Sequence, residues 1–312
     1  MTSYTIGADI SKDFIDLHRF PEAATLRVAN DKAGFKAILK WIGKFAVTRI
    51  VYEPTGAYHK AFEVFMVEAG VPLSKVNPKQ ARRFAEATGK LVKTDRVDGA
   101  MLTKFGVALE PRLLTPHDKN MYELKDLYGA RCALIKDRTA CANRSKNITV
   151  ALLKRQNEQR MKQIDTQLEA LESAIHELIC QNRKLKARFD IVTSIPGIGK
   201  AAAFAMLIEM PELGSMDAKE AASLAGLAPI QRQSGTWHGH AFIRGGRARL
   251  RQALYMPALV AMRFNPDLSL KYNALIKAGK APKVAITAIM RKLIIIANAL
   301  VRDNRNWTKN NA

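Results

Sequence analysis

Acidic residues are what this chain lacks most. Its 312 residues hold 28 Asp and Glu against 50 Lys and Arg, a formal charge of +22. From residue 221 to the end only two carboxylates remain, Asp267 and Asp303, against fifteen Lys and Arg. That stretch cannot hold an acidic metal cluster of its own. Cysteine is also scarce: Cys132, Cys141 and Cys180 are too few and too scattered for a disulfide framework. None has zinc-ligand spacing to a histidine, so free thiols in a reducing cytoplasm are expected. No stretch offers about 18 uncharged apolar residues, the length of a membrane span. The most apolar run, Leu293 to Val301, is too short to cross, and the N-terminus lacks a signal-peptide pattern. These absences exclude a disulfide-stapled secreted scaffold and a membrane partner.

What is present points to a polyanion. Apolar residues make up 48% of the chain, enough for two domains with real cores. A sequence pI near 10.1 makes nucleic acid the leading partner.

The N-terminal part reads as alternating strands and helices. Strands are expected at Tyr4 to Ile10, Phe14 to Phe20 and Ala24 to Ala29, then a helix from Lys32 to Ile42. A buried strand follows from Arg49 to Glu53, ending in Pro54-Thr55-Gly56, and another from Leu73 to Val76. Three meandering strands followed by βα units fit a ribonuclease H-like α/β fold as well as other α/β sheets. From about Asp118 to Lys186 the signal is helical. Met161, Ile164, Leu168, Leu171, Ile175, Leu178, Asn182 and Leu185 alternate spacings of three and four, a heptad pattern with Asn182 at an a position. This favours a self-associating coiled coil. Lys283 to Val301 reads as an apolar core helix. The expected division is 1–117 as an α/β domain, 118–190 as a helical coiled-coil region, and 191–312 as a mostly helical C-terminal domain.

Against this basic background a tight acidic pair calls for a reason. Lys93-Thr94-Asp95-Arg96-Val97-Asp98 places two carboxylates at i,i+3, on one face of a helix and roughly 5–6 Å apart at Cβ. Without a cation between them such like charges destabilise the helix. Asp9 closes the first strand and Glu53 ends a second apolar one. Four carboxylates form the hard oxygen set that Mg²⁺ prefers. Two such ions can activate a nucleophile and stabilise the leaving oxygen of a phosphodiester.

The acid-poor part offers a different chemistry. In Gln231-Arg232-Gln233-Ser234-Gly235-Thr236 a small hydroxyl sits before His238, His240, Arg244, Arg247, Arg249 and Arg251. Guanidinium forks match phosphate oxygens, so this cluster suits a DNA backbone. Ser234 can be a turn residue or a nucleophile on phosphorus. Upstream, Ser194-Ile195-Pro196-Gly197-Ile198-Gly199-Lys200 is a turn opening an apolar helix, where backbone N–H groups can meet a phosphate. It is not a Walker sequence, which argues against a nucleoside triphosphate site.

These motifs together resemble one family. Gly7-Ala8-Asp9 with Lys12, Glu53-Pro54-Thr55-Gly56, Asn77-Pro78, Lys93 to Asp98 and Ser194 to Gly199 recur in its order. So do Ala225 to Pro229, Gln233-Ser234-Gly235 and Leu250 to Tyr255. The chain is similar, over nearly its whole length, to the DEDD-type insertion-sequence transposases, the bridge-RNA-guided DNA recombinases. The resemblance implies a RuvC-like N-terminal domain, a coiled coil, and a C-terminal transposase domain with a catalytic serine. It implies that Asp9, Glu53, Asp95 and Asp98 hold Mg²⁺, one ion or two, and that Ser234 forms a covalent phosphoserine link to DNA. It implies target and donor DNA and a noncoding guide RNA as partners, with dimers joining into a tetramer whose sites are shared between subunits. Lys12, Lys93, Arg96, Gly197, Gly199, Lys200, Arg232, His238, Arg244, Arg247, Arg249 and Arg251 are then the candidate nucleic-acid contacts. The protein would act in a prokaryotic cytoplasm, at the nucleoid. Two departures stand out: Gly99 replaces the Ala usual after the last acid, and the stretch after Ser234 is short. A RuvC-like nuclease that leaves Ser234 idle, and a non-catalytic architectural binder, are the rival expectations.

Overall fold

The computed structural model describes residues 3–89, 95–114 and 119–309, with the side chains of 95–97, 119, 237 and 238 outside that description. Two compact units divide the chain, Met1–Pro116 and His117–Ala312.

The first unit opens with an antiparallel meander, β1 (Tyr4–Ile10), β2 (Phe14–Phe20) and β3 (Ala24–Ala29). Then come α1 (Lys32–Ile42), β4 (Val47–Tyr52), α2 (His59–Glu68), β5 (Leu73–Lys75), α3 (Pro78–Ala87) and α4 (Asp95–Leu109). The sheet order is β3-β2-β1-β4-β5, with β4 parallel to β1 and β5 parallel to β4. Strand alternation assigns the faces. On one face Ile6, Ala8, Ile10, Ile15, Leu17, Ile50 and Tyr52 pack against Phe35, Ile38 and Ile42 of α1 and Phe62 and Met66 of α2. Each Ile, Leu, Phe and Met among them contributes roughly 1.5–3 kcal/mol on full burial. On the other face Val51 joins Met101, Leu102 and Phe105 of α4 in a second, smaller core. Local chemistry fixes the helix starts. The Asp31 side chain accepts from the Gly34 amide at 2.8 Å, and Asn77 accepts from Lys79 ahead of a proline at the first helical position.

In the second unit, α5 (Lys119–Ser145) and α6 (Ala151–Gln181) form an antiparallel hairpin. The ion pairs Arg131–Glu172 at 2.6 Å and Arg138–Asp165 at 2.6 Å set its register. The heptad seam faces inward along this hairpin, with Ile164 and Ile175 buried. The seam therefore packs on α5 of the same chain. Asn182 departs from the expected a position. It has left the helical region at φ −103°, ψ 107°, and its side chain accepts from Lys184 and Leu185 as the cap of α7 (Arg183–Thr193). Its amide oxygen satisfies two orphan N–H groups, which ends the heptad there.

Next come α8 (Lys200–Glu209), α9 (Ala218–Leu224), and four two-residue strands, β6 (Pro229–Ile230), β7 (Gln233–Ser234), β8 (Trp237–His238) and β9 (Phe242–Ile243). The chain closes with α10 (Ala248–Ala253), α11 (Tyr255–Phe264), α12 (Pro266–Lys277) and α13 (Pro282–Arg302). One apolar core runs from Met121, Leu124 and Tyr128 of α5 through α8 to α13. By length and composition α13 could cross a membrane. However, Ile289, Leu293, Ile294 and Ala297 are fully buried in this core. Asn298 is pinned there too, donating to the Met216 carbonyl at 2.7 Å and accepting from Gly214 at 2.7 Å.

Candidate active site and nucleic-acid interface

Asp9 and Glu53 arrive at one place through strand register. Gly7 pairs with Val51 and Ala8 with Tyr52 in parallel, so Asp9 and Glu53 stand on the next rung, at the C-terminal ends of adjacent strands. Val51 belongs to the core beneath α4, and alternation returns Glu53 to that face. Asp9 shares the same face with Gly7.

Helix α4 lies on this face in a direction set by three glycines. A Cβ on Gly106 would meet Thr5 and Val51 side chains at 2.8 and 2.6 Å. A Cβ on Gly7 would come within 2.1 Å of the Gly99 carbonyl oxygen and 2.5 Å of the Thr103 nitrogen. The helix thus descends β1 from Thr5 at Gly106 to Gly7 at Gly99. Its first turn, carrying Asp95 and Asp98, points toward the Asp9 end. The missing Cβ of Gly7 is what permits this backbone-to-backbone approach, since a Cβ on Gly99 would lie 3.3 Å from the Asp16 carbonyl oxygen and 3.8 Å from that of Gly7. The side chains of Asp95 and Arg96 and all of Lys93 lie outside the described residues. Among the described residues, no three His, Cys, Asp or Glu side chains stand close enough to hold a metal ion.

A fifth carboxylate shares this face and escaped the sequence reading. Asp16 is the direct cross-strand partner of Asp9, and Arg27 is the partner of Asp16 on β3. The Arg27–Asp16 pair is loose at 3.8 Å. Like charges directly opposite each other destabilise a sheet, so the Asp9–Asp16 rung adds to the demand for positive charge here.

Behind Glu53, on the opposite face, sits a buried polar group. Tyr52 donates its hydroxyl to Glu63, which is only 3% exposed. Lys75 pairs with the same oxygen at 2.6 Å, and His59 Nε2 lies 3.8 Å from it. Burial and, after it, the Lys75 charge hold His59 below its ordinary pKa, opposed by Glu63. The group ties the end of β4, α2 and β5 together directly beneath the Glu53 turn.

Ser234 occupies a different setting. It ends β7, exposed, in a two-residue hairpin where Ser234 pairs with Trp237. Gly235 takes φ +56°, the left-handed value that such hairpin turns require. The side chain of His238, on β8, lies outside the described residues. The basic cluster divides by role. Arg247 makes a bidentate pair with Glu212, both contacts 2.7 Å, and Arg251 donates to the Gly245 carbonyl at 2.6 Å. Both brace the loops that carry the hairpin. Arg249 is half-exposed, 3.7 Å from Glu209. Arg232 sits over the Phe242 ring at 5.0 Å, and Arg244 is exposed. In the first unit Lys12 is exposed on the turn after β1. Gly199 and Lys200, at the start of α8, are exposed and Gly197 half-buried, with no side chain capping that helix.

Two family models match the chain. A DEDD transposase model covers residues 6–155, and one described as the transposase IS116/IS110/IS902 family covers 189–273. The pilin gene-inverting protein of Moraxella lacunata is 30% identical over 325 residues, spanning 99% of each chain. This chain belongs to the IS110/IS116/IS902 transposase family. The transposase is accordingly an enzyme that cuts and rejoins DNA. The pilin gene-inverting protein of Moraxella bovis matches over the same span at 30%. An insertion element IS110 protein of Streptomyces coelicolor is 32% identical over 143 residues, 42% of this transposase and 35% of that protein. The two family matches separate the candidate chemistry: the four acids fall in the first, Ser234 and the arginines in the second. A DEDD domain implies dependence on a divalent metal. The all-carboxylate donors on this face suit a hard cation.

Proposed function

We propose that this transposase is an RNA-guided recombinase that breaks and rejoins DNA through Ser234, with Mg²⁺ held by Asp9, Glu53, Asp95 and Asp98. One observation carries the reading: parallel register sets Asp9 and Glu53 side by side beneath the acidic first turn of α4, while Ser234 stands exposed in the stretch from residue 221 onward, which holds only two carboxylates. The sheet order, with an antiparallel meander leading into parallel strands, supports a ribonuclease H-like fold for the first unit.

The chemistry follows from these positions. The Ser234 oxygen attacks phosphorus, its proton passing to solvent base. The bond from phosphorus to the sugar oxygen breaks, and that oxygen leaves protonated. A sugar hydroxyl of the partner strand then reverses the step and frees the serine. Divalent cations held by Asp9, Glu53, Asp95 and Asp98 would supply charge neutralisation at the phosphate and would acidify the attacking group. Arg232, Arg244 and Arg249 hold the strand, Arg247 and Arg251 brace the hairpin, and Lys12, Lys93, Arg96, Gly197, Gly199, Lys200 and His238 extend the backbone contacts. Because the acids and the serine lie in separate units, sites composed from two subunits of a dimer or tetramer suit this division. A noncoding RNA pairs with target and donor, so the protein need not read base edges. The relatives named for pilin gene inversion suggest that two sites in one DNA can also be recombined.

The test is to trap the reaction on labelled donor DNA with its guide RNA. Wild-type protein gives a protein–DNA adduct that survives denaturation, and Ser234→Ala gives none. An undiminished adduct in Ser234→Ala rules the serine mechanism out. Asp98→Ala should lose the adduct while still binding DNA.

A further inference from the structure

Asp9 and Glu53 stand one residue beyond the last rung that joins their strands, Ala8 with Tyr52. From there β1 runs into the turn 11–14 and β4 into the turn 54–58, where the ladder no longer fixes one chain against the other. Each turn is closed on itself. The Ser11 amide and hydroxyl both donate to the Phe14 carbonyl, at 2.9 and 2.7 Å, and the Phe14 amide donates back to the Ser11 hydroxyl at 3.1 Å. In the other turn the Tyr58 amide donates to the Thr55 carbonyl at 3.0 Å, and Gly56 takes φ +50°. What joins the two turns decides how well the acids keep their distance.

Asn30 joins them. It follows β3, the edge strand, whose end lies at the same edge of the sheet as the ends of β1 and β4. Its side-chain nitrogen donates to the Ser11 carbonyl at 2.9 Å and to the Tyr58 carbonyl at 3.1 Å. Its backbone amide donates to the Asp13 carbonyl at 2.9 Å. One residue thus holds the turn after Asp9 at two points and the turn after Glu53 at a third. The two carbonyls also fix which way the carboxamide faces, since its oxygen would repel both. That oxygen, Oδ1, is buried without a hydrogen-bond partner among the described residues. A polar atom left so destabilises the fold, and the carboxamide is held there for the two bonds of its nitrogen.

We propose that Asn30 is a positioning residue for the metal site, setting the interval between Asp9 and Glu53 by clamping the turns behind them. It acts through backbone, without touching the cation. The inference rests on the reading of these acids as Mg²⁺ ligands. Mg²⁺ demands near-ideal octahedral geometry, whereas Ca²⁺ accepts looser and more variable oxygen sets. Loosening the clamp should therefore weaken Mg²⁺ binding more than Ca²⁺ binding, a distinction that a general loss of stability does not make.

The experiment compares full-length wild type with Asn30→Ala, using the metal ions alone as probes. Calorimetric titration should show the Mg²⁺ dissociation constant raised roughly tenfold, the lower end for outer-shell partners of a metal site. The change for Ca²⁺ should be distinctly smaller. Hydrogen exchange, read without metal, should quicken in residues 9–14 and 53–60 together. Thr48→Val is the control. The Thr48 hydroxyl ties β4 to the Tyr4 carbonyl of β1 at 2.9 Å, at the opposite end of the same strand pair, so its loss should leave both readouts unchanged. Asn30→Ser is the second variant if the alanine one melts early, and its shorter side chain should lose the bridge likewise. An equal change for the two ions, no change for either, or quickened exchange in one turn alone overturns the proposal. Asp98→Ala distinguishes the two readings. Undiminished Mg²⁺ binding in Asp98→Ala, or none in wild type, would sink the metal reading and the clamp with it. Loss in Asp98→Ala with Asn30→Ala unaltered would sink the clamp alone.

Discussion

Gly7 has no room for a side chain. A methyl group there would sit 2.1 Å from the Gly99 carbonyl oxygen, and backbone on both sides prevents easy relief. Gly7→Ala should therefore destabilise the first unit by about 3 kcal/mol, the upper end for overpacking, read as a lowered melting temperature. Gly99→Ala is a different case. Its Cβ would lie 3.3 Å from the Asp16 carbonyl oxygen, a contact that a few tenths of an ångström relieves. The better helix propensity of Ala, worth up to about 1 kcal/mol, offsets that cost. Stability in Gly99→Ala should stay within about 1 kcal/mol of wild type. A third residue sets a pH response. His59 is held neutral in the fold by burial beside Lys75, with its pKa lowered. The unfolded chain takes up that proton near about pH 6.5. Its contribution is therefore complete above that value and is lost as the pH falls through it toward the folded value. Melts taken from about pH 7.5 down to about 5.5 should show this decline, and His59→Asn should flatten it.

At the scale of elements, the meander was legible to the residue. Ile15 and Leu17 alternate with polar neighbours, so period two marked β2, and the turn residues around it marked its ends. Helix α1 was legible over the same residues, Lys32 to Ile42, and the structure adds Asp31 as its cap. The end of α6 was not, because asparagine suits both a coiled-coil a position and a helix cap, and the heptad pattern continues unbroken to Leu185. The structure resolves the ambiguity in favour of the cap. Asn182→Ala should then cost about 1 kcal/mol of stability, with the oligomeric state in analytical ultracentrifugation unchanged. A register-setting residue would have shifted the oligomeric state. The small strands around Ser234 were invisible for another reason: two residues carry no period. Asp16 was missed because a polar residue in an alternating strand reads as solvent-facing until register sets it beside Asp9.

Over the whole molecule, charge and chemistry are distributed unequally. With a formal charge of +22, the protein should bind DNA largely through counterion release. Affinity should fall at least about a hundredfold between about 50 and 200 mM salt, for DNA with or without the target sequence. Asp98→Ala should show the same salt slope while giving no covalent adduct, separating attachment to the polyanion from the reaction upon it. The glycine contact between β1 and α4 carries a further consequence here. Because backbone touches backbone at Gly7 and Gly99, the interval between Asp9 and Asp98 is fixed by a rigid stop, with no adjustable side chain between them. Gradual heating should leave their spacing, and whatever depends on it, unchanged until the first unit melts, and both should then fail together.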